Sequence, residues 1–154
     1  MSGMRTLDGI DRQIVALMSG HGRISHEEIA RRVHISRSAV HERVKRLERD
    51  GVIRGYRAVV DWTSIDLGLC GFVSVQVEHE CMPAVLGRLL EFRATDAMVE
   101  ECHRVTGEWC ALLKVRAATP QSLLGLLDAI QRLNGVQQLM TAVVLSSLEP
   151  AALN

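Results

Sequence analysis

Between residues 36 and 46 the chain gathers side chains suited to a nucleic acid. Ser36, Arg37, Ser38 and His41 come first, and Arg43, Lys45 and Arg46 follow. Arginine, serine and histidine at the start of a helix reach base edges in a major groove. Later cations meet phosphates, which give affinity but little sequence information. With Ser25 at the head of the preceding helix, these residues form the expected DNA-contacting set. From Arg37 to Arg57 there are seven Lys+Arg against three Asp+Glu. The alternative, a solvated basic helix in a plain three-helix bundle, fits less well. It does not account for a tight turn that leads straight into Arg37, Ser38 and His41.

Other reactive residues cluster further on. Glu108 with Cys110, or His103 across a hairpin from Cys110, has the composition of a nucleophile–base pair, but no oxyanion motif or phosphate loop accompanies it. His79-Glu80-Cys81 and Cys102-His103 offer metal-ligand types from two segments. The bland reading makes Cys102 a small buried hydrophobe. None of the four cysteines (70, 81, 102 and 110) belongs to a C-x-x-C pair, which argues against a zinc ribbon or a disulfide framework. The expectation is a protein with no catalytic residue, no metal and no cofactor.

These residues sit in two differently charged halves. Net charge is zero, yet residues 1–60 carry 12 Lys+Arg and 7 Asp+Glu, and residues 61–154 carry 6 and 11. The first half is therefore +5 and the second −5, as expected if only the first faces nucleic acid. Hydrophobic residues make up 47% and aromatics 3%, so leucine, isoleucine and valine must build the core. No apolar run is long enough to span a membrane, and Met1 to Leu7 lacks the apolar stretch of a secretory signal. A cytoplasmic protein is expected.

The elements that position the residues follow from periodicity. Leu7, Ile10, Ile14 and Leu17 mark one helical face, with Asp8 and Asp11 in its first turn, where negative charge suits the helix dipole. Ser25 and Glu28 form a capping box for a second helix that buries Ile29, Ala30 and Val33. Ser36 caps a third, with Val40, Val44 and Leu47 inward and Gly51 closing it. Two short helices joined by about three residues make a helix-turn-helix. Residues 52–60 read as a linker strand. Beyond it come a strand over 69–77, a helix over 82–93, strands over 98–105 and 108–116, a helix capped by Thr119, and a strand over 136–145. In that second helix Leu123, Leu124, Leu127, Ile130 and Leu133 are expected inside.

The fold class is thus α+β. A winged-type helix-turn-helix domain occupies 1–52, a linker strand and hinge 53–68, and a βαββαβ ferredoxin-like domain 69–154. Residues 111–113 and 143–145 are apolar on both sides of the pleat. A sheet with two apolar faces needs a second cover, and another copy of the chain is the expected one.

These segments resemble the Lrp/AsnC, or feast/famine, regulators over nearly the full length. The residues that carry the likeness are Leu7 to Ile14, Gly22 to Ser25, Glu42 to Tyr56 and Glu101 to Trp109. The resemblance implies binding to double-stranded DNA, autoregulation, and dimers built on the C-terminal sheets that often assemble into octamers. It also implies a small effector, usually an amino acid, held between dimers. Its site here would be Thr106, Gly107, Glu108, Trp109 and Cys110, with Thr141 and Ala142 from the last strand. The family's turn typically reads Gly-Asp-aromatic-Asp. Here Cys110 replaces the second acid, and a neutral thiol offers no anion to an amino acid's ammonium group.

Overall fold

A computed structural model describes residues 6–147, which divide into two compact units between Val59 and Val60.

The N-terminal unit is three helices. α1 (Gly9–Gly20) starts at Asp8, whose carboxylate accepts the Asp11 N–H at 2.8 Å while the Asp11 carboxylate accepts the Asp8 N–H at 3.2 Å. α2 (His26–Val33) is capped by Ser25, which accepts the Glu28 N–H at 3.1 Å. It ends at His34 in the left-handed region (φ 57°), and the Ile35 N–H reaches back to the Ala30 carbonyl. Ser36 then caps α3 (Arg37–Arg49). The turn is therefore only His34, Ile35 and Ser36. Ile14, Ile29, Val33, Val40, Val44 and Leu47 form the core, as the helical spacing predicts.

Residues 52–60 join no sheet among the described residues, contrary to the linker strand expected there. A strand is defined by its ladder, and extended β-branched residues without a partner do not make one. A single 3-10 turn, Thr63–Ile65, follows.

The C-terminal unit follows the βαββαβ order: β1 (Leu69–Val77), α4 (Met82–Leu89), β2 (Ala97–Arg104), β3 (Ala111–Ala117), α5 (Pro120–Gln131) and β4 (Val136–Val143). All pairings are antiparallel and the strand order is β2-β3-β1-β4. Alternation puts Val73, Val75 and Val77 of β1 and Leu113 and Val115 of β3 on the helix side, where Val85, Leu89, Leu123, Leu126 and Ile130 cover them. Gly135 (φ 94°) must be glycine, because a Cβ there would lie 2.2 Å from the Cys81 Cβ.

Several boundaries differ from expectation for tertiary reasons. Residues 90–93 are not helical. The Phe92 carbonyl accepts the Val99 N–H at 2.9 Å and Arg93 bridges to Met98, so pairing with β2 wins over continuing α4. Leu124 is 59% exposed and Leu126 takes its place inside. Residues 108–110 belong to the loop before β3, and residues 144–145 lie beyond β4.

Candidate functional site

The first site is the head of α3. Ser36, Arg37, Ser38, His41 and Lys45 are all exposed. Ser36 is partly committed to the fold: its hydroxyl accepts the Ala39 N–H at 3.1 Å and lies 3.0 Å from the Ser38 hydroxyl. Ser25 is likewise a cap. The His41 ring sits 5.5 Å from that of His26, which leans it on the start of α2. Arg37 and Lys45 form no ion pair among the described residues, so their charges are available to an anion. At about 100° per residue, Arg37, His41, Lys45 and Ser38 fall within roughly 100° of the α3 circumference. A helix with one such exposed polar arc is suited to a major groove.

Arg43 and Arg46, expected on phosphates, are instead engaged within the unit. The Arg43 guanidinium donates to the Asp8 and Asp11 carboxylates at 2.7 Å each. The Arg46 Nη2 donates to both Asp11 oxygens at 2.6 Å. Asp11 is 2% exposed and is the one buried charged residue among those described. The backbone N–H of Asp11 and the Arg43 guanidinium hold the Asp8 carboxyl below its ordinary range, and Asp8 and Asp11 together raise Arg43 further. Sequence reasoning missed this contact, yet it left a signal. Two acids three apart open α1, and two arginines three apart lie in α3, so each pair shares one helical face.

The second site is the loop between β2 and β3. Thr106, Gly107 and Glu108 are exposed, and Trp109 and Cys110 are half-buried. Gly107 has φ 110°, a conformation that side-chain-bearing residues rarely adopt. The Cys110 N–H donates to the Val75 carbonyl at 2.9 Å and the Cys110 thiol to the Val77 carbonyl at 3.5 Å. The thiol therefore faces β1, away from any partner base. His103 pairs in register with Leu112 and its Nε2 lies 3.0 Å from Glu101, so the hairpin sets it neither opposite Cys110 nor beside it. Among the described residues no three His, Cys, Asp or Glu side chains converge as a metal site.

Thr141 and Ala142 are not brought to this loop in the single chain. They pair with Val73 and Phe72 on the β4 flank of β1, whereas Cys110 is bonded to the opposite flank. They also point to opposite faces, Thr141 toward the helices with Val73 and Ala142 away with Phe72. A cavity of about 550 Å³ between residues 91–97 and α5 does not include the loop either.

The sheet face without helices is only half apolar. On the β1–β4 side it shows Phe72 and Met140, 41% and 52% exposed, with Ser74 and Ala142. On the β2–β3 side it carries a charge network. Arg116 meets Glu100 at 2.7 Å, Lys114 meets Glu101 at 3.2 Å and Glu100 at 3.4 Å, and Arg116 stacks 5.1 Å over the Trp62 ring. His103 and Lys114 hold Glu101 below its ordinary range. No helix of the described residues is long and apolar enough to cross a membrane.

Comparison with known proteins agrees with this architecture. Residues 7–54 match the winged helix-turn-helix DNA-binding family, and residues 70–152 match the Lrp/AsnC ligand binding domain. The leucine-responsive regulatory protein of Escherichia coli is 34% identical over 148 residues, covering 94% of this chain and 88% of that protein. A feast or famine regulatory protein from M. tuberculosis, solved with L-methionine, is 32% identical with a TM-score of 0.80, covering 95% of this chain and 97% of that one. A Neisseria meningitidis transcriptional regulator in complex with L-methionine is 28% identical with a TM-score of 0.79, covering 97% of each chain. The exposed basic turn of α3, the separate βαββαβ unit and these matches together establish that the chain belongs to the Lrp/AsnC family of DNA-binding transcriptional regulators and is not an enzyme.

Proposed function

We propose that this regulator reads double-stranded DNA sequence with Arg37, Ser38 and His41 and holds phosphates with Lys45. Ser25 and Ser36 contribute mainly by fixing the helix starts. The observation that carries the reading is the exposed arc of α3 in which Arg37 and Lys45 form no ion pair among the described residues. Arg43 and Arg46, satisfied by carboxylates, are withdrawn from the phosphate set. The test selects a preferred duplex from a random pool and compares it with a scrambled duplex. Arg37→Ala should cost about 1–3 kcal/mol on the preferred duplex and relax specificity. Lys45→Ala should weaken both duplexes alike and reduce the salt slope by about one unit. A pool that enriches no sequence refutes the reading.

For the C-terminal unit we propose self-association, a dimer and higher assemblies of dimers, through the open sheet face. Phe72 and Met140 support it by exposing apolar surface beside a charged strip that can set register. The effector reading rests on Thr106, Gly107, Glu108, Trp109 and Cys110, and on the two similar proteins solved with L-methionine. Thr141 and Ala142 can complete that site only from another copy of the chain, because β1 intervenes within one copy. We read such a site as lying between dimers, as the family resemblance implies. Because Cys110 supplies no anion, Glu108 is the group left to meet an ammonium. Calorimetry with L-methionine should give a binding heat that Glu108→Gln abolishes. A heat unchanged by Glu108→Gln would move the site elsewhere. Binding upstream of its own gene, in the cytoplasm, completes the proposed role.

A further inference from the structure

The acid–arginine cluster between α1 and α3 does more than join two helices. Core residues Val40, Val44 and Leu47 define the inward direction of α3. At about 100° per residue, Arg43 and Arg46 lie on one side of that direction, while Arg37, His41, Lys45 and Ser38 lie on the other. A helix packed only through three aliphatic side chains can rotate by some degrees with small loss, because dispersion contacts are not directional. Hydrogen bonds to a buried carboxylate are directional. Asp11 receives three guanidinium contacts at 2.6–2.7 Å from residues one turn apart, and Asp8 takes a fourth at 2.7 Å. Asp11 is itself tied to the Asp8 cap at the start of α1. The cluster has two negative and two positive charges, so it adds nothing to the unit's attraction for DNA.

We propose that Asp11, with Asp8, is the positioning group of the recognition helix. It fixes the rotation of α3 about its own axis and keeps Arg43 and Arg46 off the phosphates. The consequence is selective. The phosphate-facing charge of α3 is then set by residues such as Lys45, outside the cluster, and the arc carrying Arg37, Ser38 and His41 meets the groove at one angle. Loss of Asp11 should thus have a signature that simple loosening of the unit lacks. Specific binding should fall, while non-specific binding should rise because Arg46 is released and Arg43 keeps only its contact with Asp8.

This inference rests on the reading that α3 enters the major groove, and the experiment separates the two. Full-length protein is titrated with the pool-selected duplex and with its scrambled version over a range of salt, with circular dichroism and thermal melting as the check on folding. If the native protein shows no preference between the duplexes, the groove reading itself fails. If it does, Asp11→Asn should lower the preference at least tenfold. The same change should leave affinity for scrambled DNA equal or higher and steepen the salt slope by one to two units, since each phosphate neutralised contributes close to one. Adding Arg43→Gln and Arg46→Gln to Asp11→Asn should return the slope to the native value without restoring the preference. Where Asp11→Asn does not fold, Arg46→Lys keeps the charge but loses the two-oxygen contact. It should cut the preference at least threefold with scrambled-duplex affinity retained. A folded variant of either kind with native preference and native slope overturns the proposal, and so does a parallel fall on both duplexes.

Discussion

The two units solve the problem of fixing their elements in different ways. Among the described residues, the C-terminal unit has fourteen buried core residues, all apolar, and keeps its ion pairs on the surface of the sheet. The N-terminal unit has seven buried core residues and adds one buried carboxylate. In the sheet the backbone ladder sets register, so aliphatic packing need only supply free energy. In the three-helix unit no ladder joins the helices, and a small core leaves their rotation loosely specified. A buried charge is a weak source of net stability but a demanding geometric constraint. On the proposal above, polar contacts supply the specificity that this smaller core leaves open.

The sharpest way to break this comparison is to remove one key group from each unit. Asp11→Ala strands the Arg46 guanidinium and leaves Arg43 only its bond to Asp8, and should destabilise the N-terminal unit by about 3–5 kcal/mol. Arg43 and Arg46 keep side-chain exposures of 24% and 34%, which favours the lower end. Leu113→Ala, a cavity at a fully buried site, should cost the C-terminal unit about 2–5 kcal/mol. Urea melts followed by hydrogen exchange assign each loss to its unit. Replacing the cluster as a whole, Asp11→Leu with Arg43→Met and Arg46→Met, should be neutral or stabilising. A strong loss there would mean that the cluster supplies stability rather than geometry.

Acid should separate the units next. The folded Asp8 carboxyl lies below its ordinary value of 3.8, so its contribution is present above that pH and is lost as pH falls through the lowered value. Glu101 is lowered from 4.5 and has the same sign. Asp8 belongs to the cap and the cluster together, whereas Glu101 lies on the surface of a sheet held by its ladder. Hydrogen exchange should therefore show the N-terminal unit opening first as pH drops below about 4, and Asp8→Asn should flatten that dependence. Simultaneous opening of both units, unchanged by Asp8→Asn, would count against the comparison.

The smallest effect concerns Tyr56, the only tyrosine, whose hydroxyl donates to the Glu48 carboxylate at 2.7 Å. That bond, with partial burial, pushes its pKa up to about 12. The raised value means that the contribution is whole below the ordinary tyrosine pKa of about 10 and is lost as pH rises through 12. Ultraviolet titration should read the shift directly, and Glu48→Gln should bring the midpoint down. The stability cost of Tyr56→Phe should stay within about 1 kcal/mol, since the group is 56% exposed.

Because periodicity, caps and turn residues are local signals, the sequence alone determined the helices and the four sheet strands in their order, though not the absence of a linker strand. Ser25 and Ser36 marked helix starts to the residue, and Thr119-Pro120 did the same for α5. It also determined which residues of α3 lie outward, since Val40, Val44 and Leu47 fix the inward face. What only the tertiary structure decided were the partnerships across long separations. Arg43 and Arg46 looked like phosphate ligands until Asp11, more than thirty positions earlier, was found to hold them. Phe92 ended α4 by pairing with Val99. The Cys110 thiol turned to the Val77 carbonyl, and Thr141 and Ala142 fell on the far flank of β1. A charge, a thiol or a backbone carbonyl has the same local signature whatever its partner. The partner is chosen by the fold, through the burial that makes leaving it unpaired costly.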